Sequence, residues 1–396
     1  LPSSQRVNDV LVVTPAERVL SDPEDSIALR VEAIDTFGGR RDVTRMAVYE
    51  WSNENVSVSS DGRIQREDFG EATVIVRYLD RQAPVRVAFI RRQPGFVFQS
   101  PEPANFIDES VFAKLRALEI NPSPVADDAV FVRRAFLDLV GFLPSAEEAR
   151  EFLADPNPGK RAALVDRLLE RQEFADFWAL KWSDRLRNEE KTLDRKGVQG
   201  FHAFIRDGIA RDKPLDLFVR ELVAARGSTY TNPEANFYRA MRDPLMRGES
   251  AAQLFLGVRL QCAKCHSHPF DRWTQDDYYG WANLFARVRY KILRNDRRDR
   301  NDGHEFNGEQ IVYLADRGDV ENPNRGGPTP PRFLGGDGAR PGSGGDRLIE
   351  LAEWLTSPRN ERFARTQANR IWYNLMGRGI VEPIDDFRAT NPAVNP

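Results

Sequence analysis

The sequence changes its hydrophobic period within RRQPGFVFQSPEPAN, residues Arg91 to Asn105, and this stretch decides how the chain is divided. Its prolines are typical of a linker. Before it, apolar and polar residues alternate as they do in β-strands, and after it apolar residues recur at helical steps. The sequence therefore predicts a multidomain protein, with an all-β part over residues 1–95, a linker over 96–105 and a mainly α-helical part beyond.

The all-β part is predicted from short alternating runs. SIALRVEAID, residues 26–35, places every second side chain on an apolar face, and EATVIVRY and APVRVAF repeat the pattern. Turn stretches such as TFGG and SSDG separate the runs, which predicts a sandwich of short antiparallel strands. The order of these runs resembles the bacterial immunoglobulin-like domains of surface and secreted proteins. The resemblance implies a spacing or adhesive role, and no site is predicted in this part.

The helical part is predicted to divide into three. Residues 106–315 form the main domain, 316–346 form a loop rich in Gly and Pro, and 347–396 begin a further helical domain. A short strand, EQIVYLAD, is expected inside this region. The chain stops in a polar loop directly after a strongly patterned helix, so we expect it to be a fragment of a longer protein.

Two helix starts and one long helix are predicted from local signals. Ser145 with Glu148, and Thr274 with Asp277, have the spacing of helix N-terminal capping pairs. The apolar stretch GESAAQLFLGVRLQCAKCH predicts one continuous helix over residues 248–266.

The amino-acid composition indicates a globular protein. The chain has 41% apolar and 30% charged residues, and its formal net charge is −3. This usage is typical of globular proteins, and it predicts no nucleic-acid partner. No apolar run reaches the roughly 20 residues of a membrane-spanning helix, so no membrane span is predicted.

Both cysteines of the chain lie in one short motif. Cys262 and Cys265 are followed directly by His266 in the pattern C-A-K-C-H, the spacing of covalent haem attachment. On a helical turn, positions i and i+3 project to the same side. Two thiols can then reach the two vinyl groups of one porphyrin, while the adjacent imidazole binds the iron. The predicted cofactor is haem c, with His266 as the proximal ligand.

Two other interpretations of the motif stay open. A zinc site would use Cys262 and Cys265 together with His268 or His304, although zinc fingers usually present a second spaced pair. A redox-active or structural disulfide would join the two cysteines to each other.

The second axial ligand is not fixed by the sequence. His268 is too close along the chain to reach the opposite face of the ring, so we expect it outside the iron's coordination sphere, near a propionate or Asp271. A five-coordinate iron, open to peroxide or another small ligand, is a further alternative. Candidates for the sixth position are His202, Met241, Met246, His304 and Met376.

Longer stretches around the motif resemble a known family. GESAAQLFLGVRLQCAKCHSHPFDRWTQDDYYGWANLFARV looks like the cytochrome-type domain of large secreted planctomycetal proteins, long known only as a domain of unknown function. RLIELAEWLTSPRNERFARTQANRIWYNLMGRG resembles the start of its usual companion domain. The two resemblances cover residues 106–396. They imply a periplasmic or cell-surface protein carrying haem c on Cys262, Cys265 and His266.

Electron transfer is the function that this resemblance implies, with a redox protein or other cell-envelope protein as partner. The basic run Arg287–Arg300 would steer an acidic partner or neutralise propionates, although a solvated loop is the simpler interpretation. Two alternatives remain, a scaffold stapled by haem or zinc, and a five-coordinate haem enzyme that acts on a small ligand such as peroxide.

Overall fold

The computed structural model describes residues 8–79, 81–335, 339–342 and 344–395, without the side chains of residues 8 and 9. The first residues of the predicted β part, residues 336–338 and 343 of the predicted Gly/Pro-rich loop, and residue 396 lie outside this set. The chain separates into a β-rich unit, residues 1–124, 268–272 and 380–396, and a helical unit, residues 125–267 and 273–379.

The β-rich unit contains strands β1 to β10 and one helix, α1. The bounds are β1 Asn8–Thr14, β2 Glu17–Ser21, β3 Ser26–Ala28, β4 Arg30–Asp35, β5 Arg40–Asp42, β6 Val48–Trp51, β7 Val56–Val58, β8 Arg63–Arg66, β9 Gly70–Tyr78, β10 Arg81–Ile90 and α1 Phe106–Ala117, with a short 3₁₀ turn at Thr44–Met46. The strands form three sheets, with orders β1-β4-β5, β2-β10-β9-β6 and β3-β8-β7. Pairing is antiparallel except between β2 and β10.

Alternation along these strands produces the core of the β-rich unit. In β9, Val74 and Val76 are fully buried, and in β10 Val85 is fully buried beside Val87. Successive side chains of a strand point to opposite faces, so the alternating runs bury one face. The β-rich region predicted from the sequence is confirmed, although the run over residues 26–35 is divided into β3 and β4 at Leu29.

Helix α1 belongs to the β-rich unit, whereas the sequence placed residue 106 at the start of the helical domain. Lys114 explains the difference. Its Nζ lies 2.8 Å from a Glu71 carboxylate oxygen and donates to the Val394 carbonyl at 2.7 Å. These long-range contacts tie α1 to β9 and to the C-terminal segment, and no local pattern predicts them.

The helical unit contains α2 to α12, a small sheet and a two-stranded ribbon. The bounds are α2 Asp128–Leu139, α3 Ala146–Ala154, α4 Lys160–Leu169, α5 Gln172–Arg185, α6 Glu190–Ala210, α7 Leu215–Ala224, β11 Gly227–Ser228, α8 Asn236–Ala240, α9 Pro244–Leu256, α10 Gln275–Phe285, β12 Val288–Ile292, β13 Gln310–Leu314, β14 Glu321–Asn322, β15 Gly327–Pro328, α11 Arg347–Leu355 and α12 Glu361–Met376, with 3₁₀ turns at Pro233–Ala235 and Gln261–Lys264. The sheet has the order β11-β13-β12, and β13 confirms the strand expected in EQIVYLAD.

Capping predictions are confirmed at two helices. The Ser145 hydroxyl accepts the Glu148 amide while the Glu148 carboxylate accepts the Ser145 amide, and Thr274 and Asp277 are paired in the same way at α10. Such reciprocal bonds satisfy two amide groups that a helix start leaves without partners.

The prediction of one helix over residues 248–266 is wrong. Helix α9 ends at Leu256, and Gly257 adopts a left-handed conformation with φ of 62°. Glycine reaches this conformation without the steric cost that other residues meet, and it is the usual residue after a helix end. The motif therefore lies on a separate turn beyond α9.

No helix among the described residues is both long enough and apolar enough to cross a membrane.

Candidate functional site

The motif lies on the short 3₁₀ turn Gln261–Lys264. Leu260 and Ala263 are fully buried and hold the turn to the core of the helical unit. The amides of Cys265 and His266 both donate to the Cys262 carbonyl, at 3.3 and 3.4 Å. Cys262 lies within the 3₁₀ turn and Cys265 is the residue that follows its end. Residues three apart on such a turn are expected on the same side.

Both thiols are exposed and neither is bonded to another sulfur. Leu260 and Ala263 thus anchor the turn in the core, while the two thiols are exposed to solvent.

The imidazole of His266 is held in one orientation. Its Nδ1 lies 2.7 Å from the Ser267 carbonyl oxygen. A carbonyl only accepts hydrogen bonds, so Nδ1 carries a proton and the neutral ring presents the lone pair of Nε2 outward. A hydrogen bond from the other ring nitrogen to a backbone carbonyl is the usual support of a metal-binding histidine.

His268 has the opposite arrangement. The Phe270 amide donates to His268 Nδ1 at 3.2 Å, so in the neutral ring the proton lies on Nε2. Its outer nitrogen is then a donor and not a ligand. Asp271, its expected partner, accepts the Arg272 amide at 2.7 Å.

Helix α10 supports the turn from behind. Gln275 Nε2 donates to the Lys264 carbonyl at 3.0 Å, and the Tyr279 hydroxyl donates to the same oxygen at 3.4 Å. Burial, and then the negative charge of a Cys265 thiolate, raise the pKa of Tyr279. The sequence analysis missed both residues. Gln275 and Tyr279 are four residues apart at the capped start of α10, so they lie on one helix face. This spacing was the signal in the sequence that could have found them.

The candidates for a sixth ligand lie elsewhere in the helical unit. His202 is half-buried on α6, Met246 is 43% exposed in the first turn of α9, and His304 is exposed in the loop between β12 and β13. Among the described residues, no hydrogen bond, ion pair or ring contact joins these three side chains to the motif. Met241 is buried and Met376 is exposed at the end of α12.

The zinc alternative would need ligands beside the two thiols. In the part of the chain that the structure describes, no three His, Cys, Asp or Glu side chains are grouped so that they could hold a metal ion. His268 presents a donor rather than a lone pair, as shown above. The two thiols alone do not complete a tetrahedral site.

The basic run is paired locally. Arg294 pairs with Asp296, Arg298 Nε lies 3.1 Å from Glu305, and Arg297 donates to the Asp302 carbonyl at 3.1 Å. The loop interpretation is wrong for the first part of the run, because Val288–Ile292 forms strand β12. The local pairs agree with a solvated loop over the rest. A polar cavity of about 330 Å³ opens beside this loop, lined by Arg298 and Glu305 among others, and no motif residue contributes to its wall.

A second polar centre lies inside the helical unit. The Asp194 carboxylate accepts hydrogen bonds from the amides of Gly197 and Gly308 at 2.9 and 2.8 Å, from the Tyr230 hydroxyl at 2.9 Å and from Arg239 Nη2 at 2.9 Å. Arg239 is fully buried and Asp194 nearly so. We call this the Asp194 cluster. Oδ1 accepts one of these bonds and Oδ2 accepts three, while Nε and Nη1 of Arg239 are buried without a hydrogen-bond partner. The donors that meet at the buried carboxylate give the cluster the character of a structural centre.

Asp194 itself has an unusual backbone. Its φ is 54° and it interrupts α6. A non-glycine residue in the left-handed region is strained unless its surroundings hold it, and here four hydrogen bonds do so.

The motif residues fit a covalently attached haem. Such attachment requires two accessible thiols on one side of a single turn and an imidazole whose outer nitrogen offers a lone pair. Cys262, Cys265 and His266 meet these requirements together.

Two family models match the chain. PSCyt2, described as a protein of unknown function (DUF1549), matches residues 106–290, and PSD1, described as a protein of unknown function (DUF1553), matches residues 347–396. These matches confirm the domain family that the sequence resembles, and they leave the immunoglobulin-like character of the β-rich unit without a test. No curated protein matches the chain.

Proposed function

We propose that the helical unit is a c-type haem module that transfers single electrons in the cell envelope. One observation carries the proposal: two exposed thiols three residues apart lie on and at the end of a 3₁₀ turn, directly before an imidazole whose Nδ1 is engaged by a carbonyl.

Three residues would hold the group. Cys262 and Cys265 would form thioether bonds, and His266 would bind the iron through Nε2. A bound haem supplies a one-electron couple whose potential depends on axial ligands, hydrogen bonds and burial.

The surrounding residues have defined tasks in this proposal. Ser267 keeps the His266 ring in the tautomer that can bind a metal, since its carbonyl accepts the Nδ1 proton. Gln275 and Tyr279 hold the Lys264 carbonyl and so fix the turn between the two sulfurs. The exposed turn would let a group attached to it be reached by a partner protein, which suits transfer between proteins.

Export of the protein and a redox partner in the envelope rest on the resemblance to secreted planctomycetal proteins. For the β-rich unit we propose an immunoglobulin-like domain, which the alternation along β9 and β10 and the predominantly antiparallel pairing support.

Production of the chain in a host with a c-type haem maturation system tests the proposal. We expect one iron per chain, a haemochrome spectrum, and colour that stays with the denatured protein after acid–acetone extraction. Replacing both cysteines, Cys262→Ser with Cys265→Ser, should abolish covalent retention. Gln261→Ser, an exposed change on the same turn, should keep it.

Two results would contradict the proposed haem attachment. Loss of all colour on extraction of the unmodified chain, or one zinc and no iron by mass spectrometry, would reject the proposal. Reduced spectra with and without CO then separate the roles of a bound haem. A readily formed CO adduct favours a small-ligand enzyme, and an iron that undergoes no redox change favours a scaffold.

A further inference from the structure

Five residues that lie one position beyond the motif belong to the β-rich unit. Residues 268–272 group with residues 1–124 and 380–396, while the motif before them and α10 after them belong to the helical unit. Only Ser267 separates His266 from this segment. The sequence analysis predicted a spacing or adhesive role for the β-rich part and no site in it.

Arg77 of β9 is the main contact of this segment. Its Nη1 donates to the Pro269 carbonyl at 2.8 Å, while Nη2 donates to Glu50 at 2.8 Å. Gln82 Nε2 donates to the same Pro269 oxygen at 3.2 Å. Arg77 and Gln82 are direct cross-strand partners in the β9–β10 register, which explains why both reach one carbonyl.

Phe270 is held from two sides. The guanidinium carbons of Arg77 and Arg388 lie 5.1 and 5.2 Å from the centre of its ring. The Thr390 hydroxyl donates to the Phe270 carbonyl at 3.1 Å. Both neighbouring carbonyls of the segment, those of Pro269 and Phe270, are thus bound by side chains of the β-rich unit.

We propose that Arg77 is a positioning residue for the haem-carrying turn. Pro269 follows His266 by only three residues, so the conformation in which Arg77 holds the segment also restrains the backbone that carries the imidazole. The hydrogen bonds from Arg77 to the segment belong to the protein without any cofactor. An effect of Arg77 on the iron rests on the proposed function.

Hydrogen–deuterium exchange of the full chain without haem tests whether Arg77 restrains this segment. Arg77→Ala should increase exchange of the amides in residues 266–272 about tenfold, because a charge-assisted hydrogen bond to the backbone is lost. The matched control is Arg66→Ala. Arg66 of β8 also pairs with a carboxylate, Asp22 at 2.5 Å, and lies 4.3 Å from an aromatic ring, and its side chain is 20% exposed against 18% for Arg77. It does not contact residues 268–272, so their exchange should not change.

The haem-loaded chain tests the consequence. Arg77→Ala should shift the midpoint potential and the absorption bands, Arg77→Lys should restore them in part, and Arg66→Ala should leave them unchanged. Unchanged exchange in Arg77→Ala, or equal acceleration in Arg66→Ala, would overturn the inference. Selective acceleration with an unchanged potential would overturn the positioning role. Absence of haem in the unmodified chain would reject the proposed function and leave the exchange result standing.

Discussion

The motif turn and the Asp194 cluster are the two chemically distinctive regions of the helical unit, and they are built in opposite ways. In the cluster, a buried carboxylate accepts four hydrogen bonds from protein donors. On the turn, two thiols and the outer nitrogen of His266 face outward. Buried polar groups that bond to one another stabilise a fold, whereas ligand atoms that face outward are available for chemistry. We therefore expect changes in the cluster to act on stability and changes on the turn to act on the proposed haem attachment.

The largest expected effect is on the cluster. Arg239→Met should lower the free energy of unfolding by about 3–5 kcal/mol, because it leaves the buried Asp194 charge without its partner. Chemical denaturation measures this. Arg365→Met is the control, since Arg365 forms an exposed pair with Glu361, and its effect should stay within about 1 kcal/mol. Equal effects of the two changes would contradict a structural role for the cluster.

A smaller, pH-dependent effect is expected at Asp194. Burial alone raises the pKa of Asp194, but the amides of Gly197 and Gly308 and the Arg239 guanidinium outweigh it and lower the pKa below its ordinary value of 3.8. A carboxyl whose pKa is lowered by folding contributes stability above its unfolded pKa, and that contribution is lost as the pH falls through the folded pKa. Unfolding measured from pH 5 downwards should show this loss. Asp194→Asn should be less stable overall, with a shallower loss in acid, and an identical acid slope would contradict the assignment.

The smallest effect on stability is expected on the turn. In the haem-free chain, Cys262→Ser and Cys265→Ser should each change the free energy of unfolding by less than about 0.5 kcal/mol, because both side chains are exposed. Ala263→Ser is the matched comparison, and burying its hydroxyl should cost about 1–3 kcal/mol. A large loss from either cysteine change would show that the pair is structural, as a zinc-stapled scaffold requires.

Features fixed by local chemistry were predictable from the sequence. The alternation that buries Val74 and Val76, the capping pair at Thr274 and Asp277, and the spacing of the motif all follow from neighbouring residues. The break of the motif helix at Gly257 was missed. A single glycine within an apolar run is compatible with a continuing helix, and only the left-handed backbone reveals the end.

Long-range associations were not predictable. Asp194, Tyr230, Arg239 and Gly308 meet although up to 114 residues separate them, and nothing near Asp194 signals its partners. The grouping of α1 and of residues 268–272 with the β-rich unit has the same origin, since Lys114 and Arg77 act on distant carbonyls. The residues that carry the motif could be read from the sequence, and those that restrain it could not.

The path of the chain through the two units limits how the protein can be dissected. The polypeptide passes from one unit to the other after residues 124, 267, 272 and 379. No truncation at one point yields either unit whole, because each is assembled from separate stretches. A protease that cuts within residues 268–272 would leave two fragments that each hold parts of both units, so we expect them to remain associated until the fold is lost.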